Sequence, residues 1–201
     1  MTVGCFLLLD RQASDNSTGV KMNGAPVDLS FKHISNLTDA WSVEPTRGLR
    51  PLKRNSEMKY NSHSLRLNNN NIVDLDKLQM TINHFLAEPS QLAWLDLSFN
   101  KITHIDHVLC ELHELRVLYL HGNSIFILSE VDKLGVLPYL HTITLHGNAI
   151  EANKSYRKRV ISALPRLKTM DFSAVTQQER VMANIWYHNN NHRRNSLDTL
   201  Q

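Results

Sequence analysis

The chain has eleven histidines among 201 residues, so the first chemical question is whether their spacing lets them hold a metal or move a proton. His104, His107, Cys110 and His113 follow one another at steps of three. On an α-helix each such step rotates the side chain by about −60°. The four would fan over half the circumference and could not converge on one tetrahedral ion. Val108 and Leu112 read as the buried pair of that turn, which leaves the four ligating residue types on an exposed surface. His121 and His146 differ, because each sits in a copy of L-H-G-N. Equivalent positions on neighbouring strands stack about one strand spacing, ~4.8 Å, apart. Such a pair could bind a metal or sense pH; the plainer reading is two polar residues at the rim of a sheet. Phosphate cradles need clustered glycines, but the seven glycines are scattered and neither G-x-G-x-x-G nor G-x-x-x-x-G-K occurs. Gly122 and Gly147 fall inside turns, where backbone freedom suffices as a reason. No acid, nucleophile and base share a pocket, and an open sheet excludes no water. No catalytic residue, metal or cofactor is therefore expected.

The elements that position these histidines come from a different pattern. Residues 92–102 read L-A-W-L-D-L-S-F-N-K-I, with Leu92, Leu95, Leu97, Asn100 and Ile102 at the fixed positions of L-x-x-L-x-L-x-x-N-x-L. Leu115, Leu118, Leu120, Asn123 and Ile125 repeat it, as do Leu140, Ile143, Leu145, Asn148 and Ile150. A weaker copy upstream has Leu65, Leu67, Asn70 and Ile72, with Ser62 in place of the first leucine. The asparagines lie 30, 23 and 25 residues apart. Copies in register at such a period are the signature of a leucine-rich-repeat solenoid. Side chains alternate along a strand, so the leucines of L-x-L share the core face and the residues between them face outward. The buried asparagine then offers a donor and an acceptor to backbone groups that a sharp turn strips of partners. One repeat cannot cover its own apolar edge, so neighbours must stack. The fold class expected is α/β: a right-handed solenoid of about four repeats and a C-terminal cap, with a short parallel concave sheet and helices and turns on the convex side.

Composition adds little to this. Net charge is +3 with 42% hydrophobic residues, enough for a core and too mildly basic to imply nucleic acid. Cys5 and Cys110 are the only cysteines, and the absence of cysteine-bonded caps favours a reducing, intracellular setting. The apolar run from Val3 to Leu9 has no preceding Lys or Arg and no convincing cleavage site, so it does not read as a signal peptide. No segment approaches the ~20 apolar residues of a membrane span.

Taken in order, residues 1–26 read as a disordered tail, rich in Ser, Asn, Gly and Thr. Residues 27–61 read as a capping segment followed by a basic connector. Leu29, Phe31, Ile34, Leu37, Trp41 and Val43 supply a lid for the open first repeat. Arg47, Arg50, Lys53 and Arg54 follow with no acid among them: a solvated connector, a docking strip for an acidic surface, or a nuclear-import signal. Repeats occupy 62–152. Within them, 76–87 should form a helix that Pro89 ends, and 130–137 a shorter helical turn stopped by Pro138. Residues 153–187 form the cap: Tyr156, Val160, Ile161 and Leu164 on one helix face, then Leu167, Met170 and Phe172 as a degenerate strand. The capping box Thr176-Gln-Gln-Glu179 starts a last helix whose Val181, Met182, Ile185 and Trp186 should hide the open edge. Residues 188–201 read as a second disordered tail.

The runs S-L-R-L-N-N-N, A-W-L-D-L-S-F-N and V-L-Y-L-H-G-N-S-I, with L-H-G-N-A-I, T-R-G-L-R-P-L-K-R and D-F-S-A-V-T-Q-Q-E-R, carry a closer resemblance. The chain resembles the short, intracellular leucine-rich-repeat proteins that end in a C-terminal cap. These include the A-prime subunit of a spliceosomal small nuclear ribonucleoprotein and an axonemal dynein light chain. The resemblance implies a non-enzymatic cytoplasmic protein, with a place in a cilium or in an axonemal or microtubule-associated assembly, and it brings no catalytic or cofactor residue.

The functional expectation is thus an adaptor that holds a protein partner on its concave face, through Arg66, Trp94, Asp96, Tyr119, His121, Thr144 and His146. An exposed Trp and Tyr on adjacent strands, ringed by polar groups, have the make-up of an interaction hot spot; the alternative is that Trp94 packs under the N-terminal segment. Neither membrane nor nucleic acid is an expected partner, and a nuclear ribonucleoprotein subunit is the second reading. Ser56 and Ser196 each follow two basic residues and one other, a pattern that phosphorylation could use against the basic strip.

Overall fold

A computed structural model describes residues 24–198, with side chains to 189. Short strands and the turns between them wind into one layered coil. The strands are β1 (Val27–Asp28), β2 (Ser64–Arg66), β3 (Trp94–Asp96), β4 (Val117–Tyr119), β5 (Thr142–Thr144), β6 (Thr169–Met170) and β7 (Ser173–Ala174). They line up in chain order in one sheet, parallel from β1 to β6, with β7 added antiparallel. The parallel sheet runs from β1 to β6, and the convex side carries helix α1 (Leu78–Phe85) and 3-10 segments at His107–Glu111 and Leu128–Val136.

Register holds the leucines in one layer. Leu65, Leu95, Leu118, Ile143 and Met170 are partners across successive strands and are wholly buried. Each such side chain contributes roughly 1.5–3 kcal/mol of transfer free energy. The asparagines form a second ladder. Asn100 donates from Nδ2 to the Leu67 and Leu97 carbonyls, both at 3.0 Å, and its Oδ1 accepts from Ile72 N at 3.1 Å. Asn123 and Asn148 repeat this one and two turns on. Asn70 does the same toward the N-terminus, donating to Leu29 O and accepting from Ile34 N. Each asparagine therefore staples its own turn to the preceding one.

The N-terminal lid is itself a turn of the coil. Val27 and Asp28 pair with Leu65 and Arg66, Leu29, Ile34 and Leu37 are buried, and Trp41 stacks on His84 and donates to Thr81 Oγ1. Ser62 fills the missing leucine's place by donating to the Ala25 carbonyl at 2.7 Å, and Ala25 is itself buried. The proposed disorder of 1–26 otherwise falls on residues outside the described ones.

At the far end α2 (Tyr156–Ala163) and α3 (Gln177–Asp198) close the coil. The capping box forms: Glu179 N donates to Thr176 Oγ1 at 3.1 Å, and Thr176 N donates to Glu179 Oε2 at 2.9 Å. Three expectations change here. Phe172 does not enter the core. Asp171 and Phe172 both have positive φ, 50° and 61°, so the backbone reverses in a two-residue hairpin turn, of the kind that suits the twist of an antiparallel pair. The apolar face of α3 is also not buried: Ala183 is enclosed, whereas Val181, Met182 and Ile185 are about half exposed. Helix α3 runs through Asp198, so residues 188–198 are helical instead of a loose tail; the remainder of 188–201 lies outside the described residues.

Candidate functional site

Side chains facing away from the leucine layer fall into three columns across the sheet. The first carries Ser64, Trp94, Val117, Thr142 and Thr169. The second carries Asp28, Arg66, Asp96, Tyr119 and Thr144. The third, fixed by backbone bonds just beyond the strands, carries Asn68, Ser98, His121 and His146. All seven predicted concave residues lie in these columns, but their accessibility differs from the expectation. Trp94 is 8% and Tyr119 4% exposed; Asp96, His121 and Thr144 are buried; Arg66 and His146 are half-buried.

The cause is lateral packing. The Arg66 guanidinium lies over the Trp94 ring at 5.2 Å, a cation–π contact, while Asp28 holds the guanidinium at 3.2 Å. Trp94 meets Tyr119 edge-on at 5.9 Å, and Phe172 covers Tyr119 at 5.7 Å. The supposed hot spot is therefore already occupied by the protein's own side chains, and the N-terminal contribution to covering Trp94 comes through Asp28. Asp96 accepts from Ser98 N and Ser98 Oγ, and burial raises its pKa against those bonds and Arg66.

His121 and His146 stack as their repeat positions require, at 4.7 Å and 9° between planes. His121 Nδ1 is 2.7 Å from Thr144 Oγ1. Burial, with His146 as the next cause, holds its pKa down to about 4. His146 Nδ1 lies 3.2 Å from Asp171 Oδ1. That oxygen also accepts from Leu145 N and His146 N, while Oδ2 accepts from the Tyr156 hydroxyl at 2.8 Å. Burial and Asp171 together raise the Tyr156 pKa. Asp171 has a structural assignment here. Leu67, Leu97 and Leu120 donate to the main-chain carbonyls of Asp96, Tyr119 and Thr144. At Leu145 the hairpin has turned that main chain away, and the Asp171 carboxylate accepts instead.

Residues outside the predicted set complete the face. Phe31, Phe99 and Phe172 are 60%, 53% and 48% exposed, and their φ values are 58°, 52° and 61°. Bulky side chains in this left-handed region are uncommon. At turns equivalent to that of Phe99, Asn69, Gly122 and Gly147 adopt the same sign of φ at less cost, whereas Phe172 takes its φ from the hairpin between β6 and β7. Phe99 lies over Gly122, where an added Cβ would come within 2.6 Å of Cδ1, and meets His121 edge-on at 4.9 Å. Phe172 contacts His121 and His146, each at 5.7 Å. A sequence signal for Phe31 and Phe99 exists: D-L-S-F occurs at both 28–31 and 96–99. Both copies fold alike, with Ser30 and Ser98 donating from N and Oγ to Asp28 and Asp96.

The other candidates lie apart. In the basic connector Arg54 is paired with Glu44 at 2.8 Å and with the Tyr60 hydroxyl, an acid that sequence proximity did not suggest. Arg47, Arg50 and Lys53 are exposed. Ser56 is exposed in the turn between Asn55 and Lys59; the side chain of Ser196 is not among those described. Cys110, placed on the exposed surface from its spacing, is buried on a 3-10 turn, and its thiol donates to Lys133 O. Among the described residues no group of three or more His, Cys, Asp and Glu could hold a metal, and no helix is long and apolar enough to cross a membrane.

Comparison with known proteins agrees with this architecture. The leucine-rich-repeat family model matches residues 60–197. Leucine-rich repeat-containing protein 51 of Rattus norvegicus is 50% identical over 161 residues, 80% of this chain and 84% of that protein. Its Homo sapiens counterpart is 49% identical over the same shares. Leucine-rich repeat-containing protein 23 of Homo sapiens is 31% identical over 100 residues, 50% of this chain and 29% of that protein. A solved structure, the Drosophila melanogaster SNF/U2A' complex, has a chain with a TM-score of 0.54 at 21% identity, covering 68% of this chain and 86% of its own.

Proposed function

The chain belongs to the leucine-rich-repeat family, and from that premise we propose that it is a non-enzymatic scaffold that holds one protein segment across its concave face. The observation that supports this most is the continuous five-strand face from β2 to β6, flanked beside His121 by the half-exposed rings of Phe99 and Phe172. Repeat proteins bind through such concave surfaces. Phe99 and Phe172 take over as contact residues from Trp94 and Tyr119, which act from below by fixing the positions of Arg66 and Phe172.

We assign the protein to the cytoplasm, with a ciliary or axonemal assembly as its setting; the resemblance to axonemal members of the family supports this. The test is a photo-crosslinking residue placed at Thr142, half-buried in the first column, against one at Val136, which is 63% exposed on the convex side. In ciliated cells Thr142 should capture a defined protein that Val136 does not. Equal capture, or none at Thr142, removes the concave reading. The second reading, a nuclear ribonucleoprotein subunit, is favoured by exposed Arg47, Arg50 and Lys53 and by the fold shared with a chain of the SNF/U2A' complex. It predicts nuclear staining of a tagged copy and ribonuclease-sensitive co-purification, and cytoplasmic or axonemal staining excludes it.

A further inference from the structure

We infer that residues 45–53 form a second contact surface, on which Leu49 enters an apolar pocket of a partner protein while Arg47 and Arg50 pair with carboxylates at the rim of that pocket. This surface lies outside the concave columns and does not depend on them.

The loop is closed at its neck and tied at both ends. Glu44 Oε2 accepts from Arg54 at 2.8 Å and from the Tyr60 hydroxyl at 3.2 Å, and the Arg54 guanidinium lies 4.6 Å from the centre of the Tyr60 ring. Thr46 N donates to Asp28 O at 2.7 Å, and Lys53 O accepts from Asn61 N at 2.9 Å. Val43 and Leu52, on either side of Leu49 along the chain, pack against the core. Pro45 and Pro51 have φ fixed by their rings and disfavour helical backbone at Glu44 and Arg50. Surface loops of this length with their ends joined are frequently functional, and a loop already held in place loses less freedom on binding.

Leu49 is what the closed loop displays. It is 99% exposed, against 63% for Met58 and Val136, the next most exposed large apolar side chains among the described residues. Beside it Gly48 faces open space, with nothing within 4 Å of where a Cβ would stand. A lone exposed leucine is ordinary on a protein surface. This one differs because the loop that tucks in Val43 and Leu52 holds Leu49 out between two cations.

Charge sets the chemistry of the partner. Arg47, Arg50 and Lys53 are exposed, and the acids nearest in the chain, Glu44 and Glu57, are taken by Arg54 and Lys59. An apolar tip with a guanidinium two positions before it and another one position after it is complemented by an apolar cavity rimmed with carboxylates, which guanidinium groups engage through paired, charge-assisted hydrogen bonds. Nucleic acid is the poorer fit. Proteins grip single strands with aromatic side chains set among cations, and residues 45–53 contain no aromatic residue.

The test uses the full chain and three fluorescent probes read by anisotropy: β-cyclodextrin bearing carboxylates on its rim, neutral β-cyclodextrin, and a polyuridine oligonucleotide. The carboxylated host is an apolar cavity with an acidic rim, and it should bind about fivefold more tightly than the neutral one, as two exposed ion pairs allow. Leu49→Ser should weaken its binding about tenfold, the worth of one buried leucine, and Arg47→Ser with Arg50→Ser should erase its advantage over the neutral host. All three side chains are exposed, so both variants should melt with the parent. From extracts of ciliated cells the parent should then recover, after ribonuclease treatment, a protein that both variants lose. Equal binding of the two hosts overturns the proposal, as does a Leu49→Ser variant that still holds the carboxylated host or still recovers that protein. Polyuridine binding that is lost with the arginines and unchanged by Leu49→Ser marks a nucleic-acid site and overturns it too. None of these outcomes depends on capture at Thr142, so this surface and the concave reading fail separately.

Discussion

The imidazole of His121 lies parallel to that of His146 at 4.7 Å, under the edge of Phe172 and against Thr144. Protonating His121 would place a charge in an enclosed aromatic cluster beside a second imidazole, which is why its pKa is held down to about 4 from 6.5. The unfolded chain therefore binds this proton more readily than the folded one. Stability is unaffected above the unfolded value, falls as pH drops from about 6.5 towards 4, and is reduced by on the order of 3 kcal/mol once both pKa values are passed. Urea midpoints should be lower at about pH 5 than at pH 7, and His121→Gln should flatten that slope. An unchanged slope in the variant refutes the assignment.

A second acid window belongs to the cap. Arg157 donates from Nε to Glu179 Oε1 at 2.6 Å, and this bond, before that from Thr176, lowers the Glu179 pKa to about 2 from 4.5. The contribution is present above about 4.5 and is lost as pH falls through to about 2. Side-chain exposure near one third at both partners screens the pair and keeps it small. Glu179→Gln should speed amide exchange at the start of α3 selectively. Thr176→Ala should cost about 1 kcal/mol.

Asn100 is bonded to two turns at once. Asn100→Ala would leave the Leu67 and Leu97 carbonyls and the Ile72 N–H, all in buried residues, without that partner. Each lost buried bond costs about 1–3 kcal/mol, so the variant should lose several kcal/mol in equilibrium unfolding. Asn100→Asp should rescue little, since a carboxylate accepts from Ile72 N but cannot donate to the carbonyls.

Gly122 and Phe99 are coupled sterically. Gly122→Ala would meet Phe99 Cδ1 at 2.6 Å and would also strain φ at +66°. It should destabilise by about 1–3 kcal/mol. In a Phe99→Ala background the ring clash disappears and the backbone strain of about 1 kcal/mol remains, so a double-mutant cycle should show a coupling above about 0.5 kcal/mol. Strict additivity would mean that the ring does not rest on the glycine.

The amino-acid sequence alone determined the coil. Leucines two apart on a strand must share a face, and a buried asparagine must answer the backbone groups of its turn. The residues from Leu92 to Ile102 therefore dictated strand, turn and neighbour contact without reference to the rest of the chain. The capping box at Thr176 is local for the same reason. Accessibility was not local. Trp94 reads as an exposed anchor because its face of the strand is outward; it is buried because Arg66, one strand away, is held over it by Asp28 from the N-terminal turn. Phe172 reads as core by alternation, yet positive φ at Asp171 and Phe172 throws it onto the concave side, where it covers Tyr119 and both imidazoles. Arg54 reads as part of a free basic strip until the chain returns Glu44 to it. Periodicity along the sequence fixes which face a side chain leaves from in a regular repeat, while packing across the strands at Trp94, the backbone reversal at Phe172 and the fold of the connector at Arg54 fix what it meets there.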